Sequence, residues 1–98
     1  MALSKTQIKH LKALAHNLKP IIMLGQNGYT DAVQKEIDIA LNFHELIKVK
    51  LASNDRDARS QTASDIASSC EAETIQIIGK TLILFRRNHK KPVIELPK

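Results

Sequence analysis

The stretch that most constrains the fold is residues 20–37, where an apolar run, a pair of glycines and an amphipathic segment follow one another. Residues 21–24 are apolar with turn residues on both sides, which is typical of a buried strand. Gly25 and Gly28 come next, and after Thr30 the apolar residues recur at helical spacing. The sequence therefore predicts a strand, a tight glycine loop and a helix.

The predicted loop has a chemical use. The first N–H groups of a helix lack internal partners and lie at the positive end of its dipole, so anions bind there. Gly25 and Gly28 allow another backbone to approach closely, and Gln26 and Asn27 offer amide donors and acceptors. A plain strand-to-helix turn explains the same residues, because short motifs often match by chance. The loop alone does not decide the function.

Length and composition indicate one soluble globular domain without disulfides or metals. The chain has 98 residues, 43% hydrophobic and 26% charged, with a single cysteine, Cys70. The four histidines have no metal-binding spacing, nucleotide-binding signatures are absent, and no cofactor is predicted. The start lacks a signal sequence and no apolar run approaches the ~18 residues of a membrane span. We expect a cytoplasmic protein that is not an enzyme.

Charge is distributed unevenly along the chain. Residues 1–28 and 74–94 contain no acid and carry +4 and +5, whereas residues 29–73 carry −4 and the total is +5. Were the two acid-free segments adjacent in the fold, they would make one positive face, which is typical of a protein that binds polyanions. Ordinary solvated lysines are the alternative.

The first and second helices are predicted from capping residues and apolar periodicity. Residues 4–18 have Ser4 as N-cap and an apolar face that includes Leu14 and Leu18, with Lys5, Lys9, Lys12 and His16 in a stripe beside it and Lys19 just beyond. Thr30 caps the second helix. Its buried stripe is Val33, Ile37, Ala40 and Leu41, broadened by Ala32, Ile39 and Phe43, so we expect it to be the most buried helix.

Strands and a third helix follow. Residues 45–51 alternate as a half-exposed strand that carries Lys48 and Lys50 opposite its buried face. After a loop at 52–57, the third helix has Ala63, Ile66, Ala67 and Cys70 on its packing side. Residues 74–78 and 81–86 form a hairpin around Gly79-Lys80. A basic segment, 87–92, follows it, and we expect that Val93, Ile94 and Leu96 could pack against the domain.

The predicted fold class is α/β: a single domain of order α-β-α-β-α-β-β. Right-handed crossovers make the first three strands parallel, and the hairpin adds an antiparallel strand, so the four-stranded sheet is mixed with helices packed on it.

Three blocks of the sequence resemble a known family. LKPIIMLGQNGYT at 18–30, HELIKVK at 44–50 and IGKTLILFR at 78–86 are similar to the CRM domain (chloroplast RNA splicing and ribosome maturation), in particular its stand-alone bacterial YhbY type. The resemblance implies a fold similar to the C-terminal domain of translation initiation factor three, with an RNA-binding domain at 1–87 and a basic tail at 88–98. Tyr29 departs from the usual aliphatic residue, and either stacks on a base or packs in the core. Arg87 is a second departure, because in the family proline often follows the arginine of the last strand.

The resemblance also implies a function: binding of ribosomal RNA in large-subunit precursors, through the glycine loop and nearby basic surface, in support of ribosome assembly. We expect a monomer associated with ribosome precursors that reads RNA backbone and shape, because Phe43 and Phe85 lie in core patterns and so provide no stacking platform. Alternatives are a protein-interaction module recruited by ribosomal proteins, and a DNA-binding module. The predicted RNA-binding residues are Gly25, Gln26, Asn27, Gly28, Tyr29, Thr30, Lys5, Lys9, Lys12, His16, Lys19, Lys48, Lys50, Lys80, Arg86 and Arg87.

Overall fold

Helices and strands alternate in the predicted order in the computed structural model, which describes residues 3–98; residues 1 and 2 of the predicted domain lie outside it. The elements are α1 (Lys5–Ala15), β1 (Ile22–Met23), α2 (Asp31–His44), β2 (Leu46–Lys50), α3 (Arg56–Ser69), β3 (Glu73–Ile78) and β4 (Thr81–Phe85). The α/β prediction with three helices and a mixed four-stranded sheet is confirmed.

Local sequence signals account for the helix starts. Ser4 and Gln7 form a capping box, in which the Gln7 N–H donates to Ser4 Oγ at 3.1 Å and the Ser4 N–H donates to Gln7 Oε1 at 3.0 Å. Thr30 and Asp55 cap α2 and α3 through their side chains. The predicted continuation of α1 to residue 18 is wrong, because the helix ends at Ala15, ahead of the segment that enters Pro20.

The strand order across the sheet is β1-β2-β4-β3. β1 and β2 are parallel, while β4 runs antiparallel to both β2 and β3, so the first three strands share one direction as predicted. The hairpin turns at Gly79, whose φ of +57° suits glycine. β4 enters the sheet between β2 and β3 and thereby becomes a central strand.

Each face of the sheet has its own hydrophobic core. α2 and α3 cover one face, where Ile37, Leu41 and Ile66 pack with Val49 and Leu82. α1 covers part of the other face, and its Leu11 and Ala15 pack with Leu46, Ile83 and Phe85. Alternation along β2 places Leu46 on the same face as Lys48 and Lys50, which the sequence predicts to be partly exposed, but α1 buries it.

The prediction that α2 would be the most buried helix is wrong, because α1, α2 and α3 each have two buried residues. Ile37 and Leu41 are fully buried, but Ile39 is 59% exposed and Phe43 is 72% exposed. The reason is that α2 packs on the outer strand β1 and its neighbour β2, and β1 has only two residues. The short outer strand cannot cover a wide helical face.

A buried carboxylate helps to hold the C-terminal segment to the domain. Glu45, which is 0% exposed, accepts hydrogen bonds from the backbone N–H groups of Asn88 (2.7 Å), Val93 (2.6 Å) and Ile94 (2.7 Å). Ile94 and Leu96 pack against the core beneath α1.

Candidate nucleic-acid interface

The glycine loop is a tight turn with an exposed tip. The Gly28 N–H donates to the Gly25 carbonyl at 3.0 Å, and Gln26 and Asn27 are exposed between them. Gly28 has a φ of +69°, a conformation that favours glycine. Gly25 has no such requirement, and a Cβ there would meet no atom within 4 Å. The space above Gly25 is open.

The turn lies at the carboxyl ends of the two parallel strands, where loops of α/β proteins usually bind ligands. The Leu24 N–H donates to the Lys50 carbonyl at 2.9 Å, and the Leu51 N–H donates to the Lys80 carbonyl at 2.6 Å. The end of β2 and the β3–β4 turn therefore lie beside the glycine turn. Of the predicted cations, Lys50 and Lys80 are the two brought to this end of the sheet.

A groove of about 630 Å³ runs between the glycine turn and the start of α3. Its lining includes Gly25, Gln26, Ser53 and Arg59. The Arg59 guanidinium donates to the Ser53 carbonyl at 3.2 Å, which holds the side chain in the groove. Sequence reasoning missed Arg59 because it lies in the acidic middle segment. Its position one turn before Ala63, on the packing side of α3, was the available signal.

The N-terminus of α2 is partly capped within the chain. The Val33 N–H donates to Thr30 Oγ1 at 3.3 Å, and the carboxylate of Asp31 lies in the first turn. A carboxylate at this position stabilises the helix dipole and repels another anion. The turn itself, rather than the helix end, is therefore the better place for a phosphate.

Tyr29 packs against the core of α2 and α3. Its hydroxyl lies 2.6 Å from Ser69 Oγ and 3.4 Å from Cys70 Sγ. Burial, followed by the hydrogen bond with Cys70, raises the pKa of Tyr29 to about 12. The ring therefore packs on the core, and its hydroxyl contacts the C-terminal end of α3.

The predicted cations do not form one continuous face. Lys5, Lys9 and Lys12 are exposed on α1 and His16 is exposed at its C-cap. This helix packs on the opposite side of the sheet from α2 and α3. The core under α1 includes Leu46 and Phe85, at the strand ends far from the glycine turn. Lys48 is also turned to this side, where its ammonium donates to the Leu18 carbonyl at 2.9 Å.

Arg86 and Arg87 are engaged with internal partners. Arg86 donates to Asp38 Oδ1 at 2.8 Å and to the Cys70 carbonyl at 2.8 Å, and so joins α2 to the end of α3. Arg87 contacts Glu45 at 3.3 Å and also donates to the carbonyl of Ile94. These contacts favour a structural role for both guanidinium groups.

The described part of the chain contains neither a metal-ligand cluster nor a membrane-spanning helix. Residues 3–98 contain no cluster of three His, Cys, Asp or Glu side chains placed to hold a metal ion. None of the helices in this range has the length and apolar character needed to cross a membrane.

The chain is similar to proteins named for RNA binding. Residues 3–86 match the sequence profile of the CRS1 / YhbY (CRM) domain. An RNA-binding protein of Haemophilus influenzae is 45% identical over 96 residues, which cover 98% of this chain and 96% of that protein. A probable RNA-binding protein of Pseudomonas aeruginosa is 41% identical over 90 residues, 92% of this chain and 86% of that one.

A solved structure has the same fold. It is the solution structure of a hypothetical Staphylococcus aureus protein, described as a candidate RNA-binding protein. Its TM-score is 0.84 at 33% sequence identity, and the match covers 98% of this chain and 100% of that one.

Proposed function

The chain belongs to the CRS1 / YhbY (CRM) domain family, and from this premise we propose that it binds RNA, specifically ribosomal RNA in precursors of the large ribosomal subunit, and assists their assembly. Relatives named as RNA-binding proteins match it over almost its whole length, which supports RNA as the ligand. The net charge of +5 suits a polyanionic partner. The ribosomal target follows from the stand-alone bacterial type that the sequence resembles.

The observation that carries the proposal is the open space at Gly25. Neither the backbone conformation nor packing within the chain requires glycine at this position, because φ lies outside the left-handed region and a Cβ would meet nothing. A side chain at position 25 would obstruct the approach of a ligand backbone. A phosphodiester is a backbone of suitable size and charge, and glycine-rich loops of other RNA-binding domains clamp it in this way.

The surrounding groups provide the rest of the contact. Gln26 and Asn27 present amide groups at the tip of the turn, and amide N–H groups donate to phosphate oxygens. Lys50, Lys80 and Arg59 supply positive charge at the same end of the sheet. Binding through phosphates releases counterions and is therefore salt-dependent, with modest sequence preference.

The first experiment compares wild type with the double variant Gln26→Asp/Asn27→Asp in binding to large-subunit ribosomal RNA fragments across a salt series. Both glycines remain, so the turn should keep its geometry, while two carboxylates repel phosphate. We expect the variant to bind at least about tenfold more weakly. Its melting temperature should match that of wild type.

A matched control adds two carboxylates elsewhere. Ser64→Asp/Ser68→Asp places them on the exposed side of α3, with the same change in net charge. If both variants lost RNA affinity equally, the loss would be explained by total charge alone, and contact at the turn would be refuted. Equal affinity of wild type for an unrelated RNA of the same length would refute the ribosomal target.

A further inference from the structure

The outer edge of the sheet carries an exposed aromatic ring that the proposed interface at the glycine turn does not use. Of the chain's three aromatic residues, Phe85 is buried, Tyr29 is packed on the core, and Phe43 is 72% exposed. Ile21 and Ile39 are also more than half exposed, at 53% and 59%. Exposed apolar groups in one place indicate a binding surface.

Two grooves meet on this surface. The first, of about 180 Å³, lies where the α1–β1 connection passes the start of β2, and its lining includes Lys19, Ile21, His44 and Lys48. The second, of about 380 Å³, lies between β1 and α2, and its lining includes Ile21, Phe43 and His44. Ile21 and His44 line both grooves, so the two are adjacent.

Charge distinguishes the two grooves. The first is lined by two lysines and a histidine and by no carboxylate, which suits an anionic ligand. Lys48 uses one proton for the Leu18 carbonyl and retains two more for a ligand. The second groove contains the carboxylate of Glu36 and is otherwise mainly apolar. The first therefore suits phosphates, whereas the second suits an uncharged flat group.

We propose that Phe43 is a base-stacking residue for single-stranded RNA, with the RNA backbone lying along Lys19 and Lys48. This inference rests on the proposed function and adds a second contact to it. Ile21 and Gly25 are four residues apart, about 13 Å at ~3.3 Å per residue. A strand bound at the glycine turn therefore needs only a few nucleotides to reach Phe43.

The test uses the absence of tryptophan from the chain. In Phe43→Trp the new indole is the sole tryptophan, and a base stacked on it quenches its fluorescence. The variant is titrated with a single-stranded adenine-rich oligonucleotide joined to a ribosomal RNA fragment that wild type binds. Val93→Trp places an indole at a similarly exposed position that lines neither groove, and it serves as the matched control. We expect strong quenching for Phe43→Trp and little for Val93→Trp.

Affinity provides a second measurement. Phe43→Leu keeps an apolar side chain but removes the ring, and should weaken binding about tenfold, whereas Phe43→Tyr should bind as wild type does. Stacking would be overturned if Phe43→Leu bound RNA as tightly as wild type does, or if both tryptophan variants were quenched equally. Either result would indicate general apolar contact, of the kind that a protein partner makes. The proposed function would still be supported in that case if wild type bound RNA and Gln26→Asp/Asn27→Asp bound it more weakly. If wild type did not bind RNA at all, both the proposed function and the stacking role of Phe43 would be overturned.

Discussion

Tyr29 shows at the residue scale how one side chain can be adjacent to a proposed interface and still pack against the core. The residue follows Gly28 directly, yet its hydroxyl lies 2.6 Å from Ser69 at the end of α3. The contact joins the exit of the glycine turn to a helix 40 residues later. It helps to hold the turn in position.

The pKa of Tyr29 gives a direct test of this environment. As the chain has one tyrosine and no tryptophan, absorbance near 295 nm reports this phenol alone. We expect a midpoint near 12 instead of 10, because burial disfavours the phenolate. A raised pKa contributes stability that is complete below about pH 10 and is lost as the pH rises through the folded value.

A midpoint near 10 in the folded protein, verified by circular dichroism at the same pH, would contradict the packed ring. Ser69→Ala is a useful companion variant. It removes the 2.6 Å hydrogen bond and leaves the ring in contact with the core.

The glycine turn illustrates the element scale, because its two glycines have different tasks. Gly28 takes a left-handed conformation that a side chain would strain, whereas Gly25 does not. Both have free space around a Cβ position. Glycine is therefore needed at position 28 for its backbone conformation. At position 25 we propose that it is needed to let a ligand approach.

We predict that alanine affects stability at one position and RNA binding at the other. Gly28→Ala should lower the free energy of unfolding by about 1 kcal/mol, or roughly 4–8 °C in melting temperature, because a Cβ disfavours positive φ. Gly25→Ala should leave the melting temperature unchanged and weaken RNA binding, since its methyl group occupies the proposed phosphate approach. Thermal unfolding and RNA titration of both variants decide the matter. A Gly25→Ala protein with wild-type affinity would refute close approach there.

At the scale of the whole molecule, Glu45 connects the junction of α2 and β2 to the chain's C-terminal segment. Burial by itself raises the pKa of the Glu45 carboxyl. The pKa is nevertheless lowered overall by hydrogen bonds from the backbone N–H groups of Ile94, Asn88 and Val93, and further by the charge of Arg87. A lowered pKa contributes stability that is present above the unfolded value near 4.5 and is lost as the pH falls through the folded value.

We predict that Glu45→Gln lowers the free energy of unfolding at pH 7 by about 3 kcal/mol, because an amide has one acceptor oxygen and leaves buried donors unpaired. The variant should also lose less stability than wild type between pH 6 and pH 3. Urea unfolding at each pH measures both effects. The control is Glu73→Gln, where the residue is exposed. Parallel acid profiles for Glu45→Gln and wild type would show that this carboxylate does not bind the tail.

The elements themselves were predictable from sequence because each depends on residues close in the chain. Ser4, Thr30 and the Gly79 turn act through neighbours within a few positions, and all three were identified. The exposed glycine turn was likewise predicted as a loop. Its neighbours Ser53 and Arg59 were not, since the β2–α3 loop and the first turn of α3 meet it only in the folded chain.

The sequence by itself determined the order of the elements, the strand directions and the position of the glycine turn, since periodicity, capping and crossover handedness are local or general properties. Only the tertiary structure decided which faces are covered. Leu46 is buried because α1 packs over it, while Phe43 is exposed because β1 is too short to cover α2. It also assigned the charges, pairing Arg86 with Asp38 and leaving Lys50 beside the turn. Burial and ion pairing depend on distant neighbours, and these are chosen by packing and strand order.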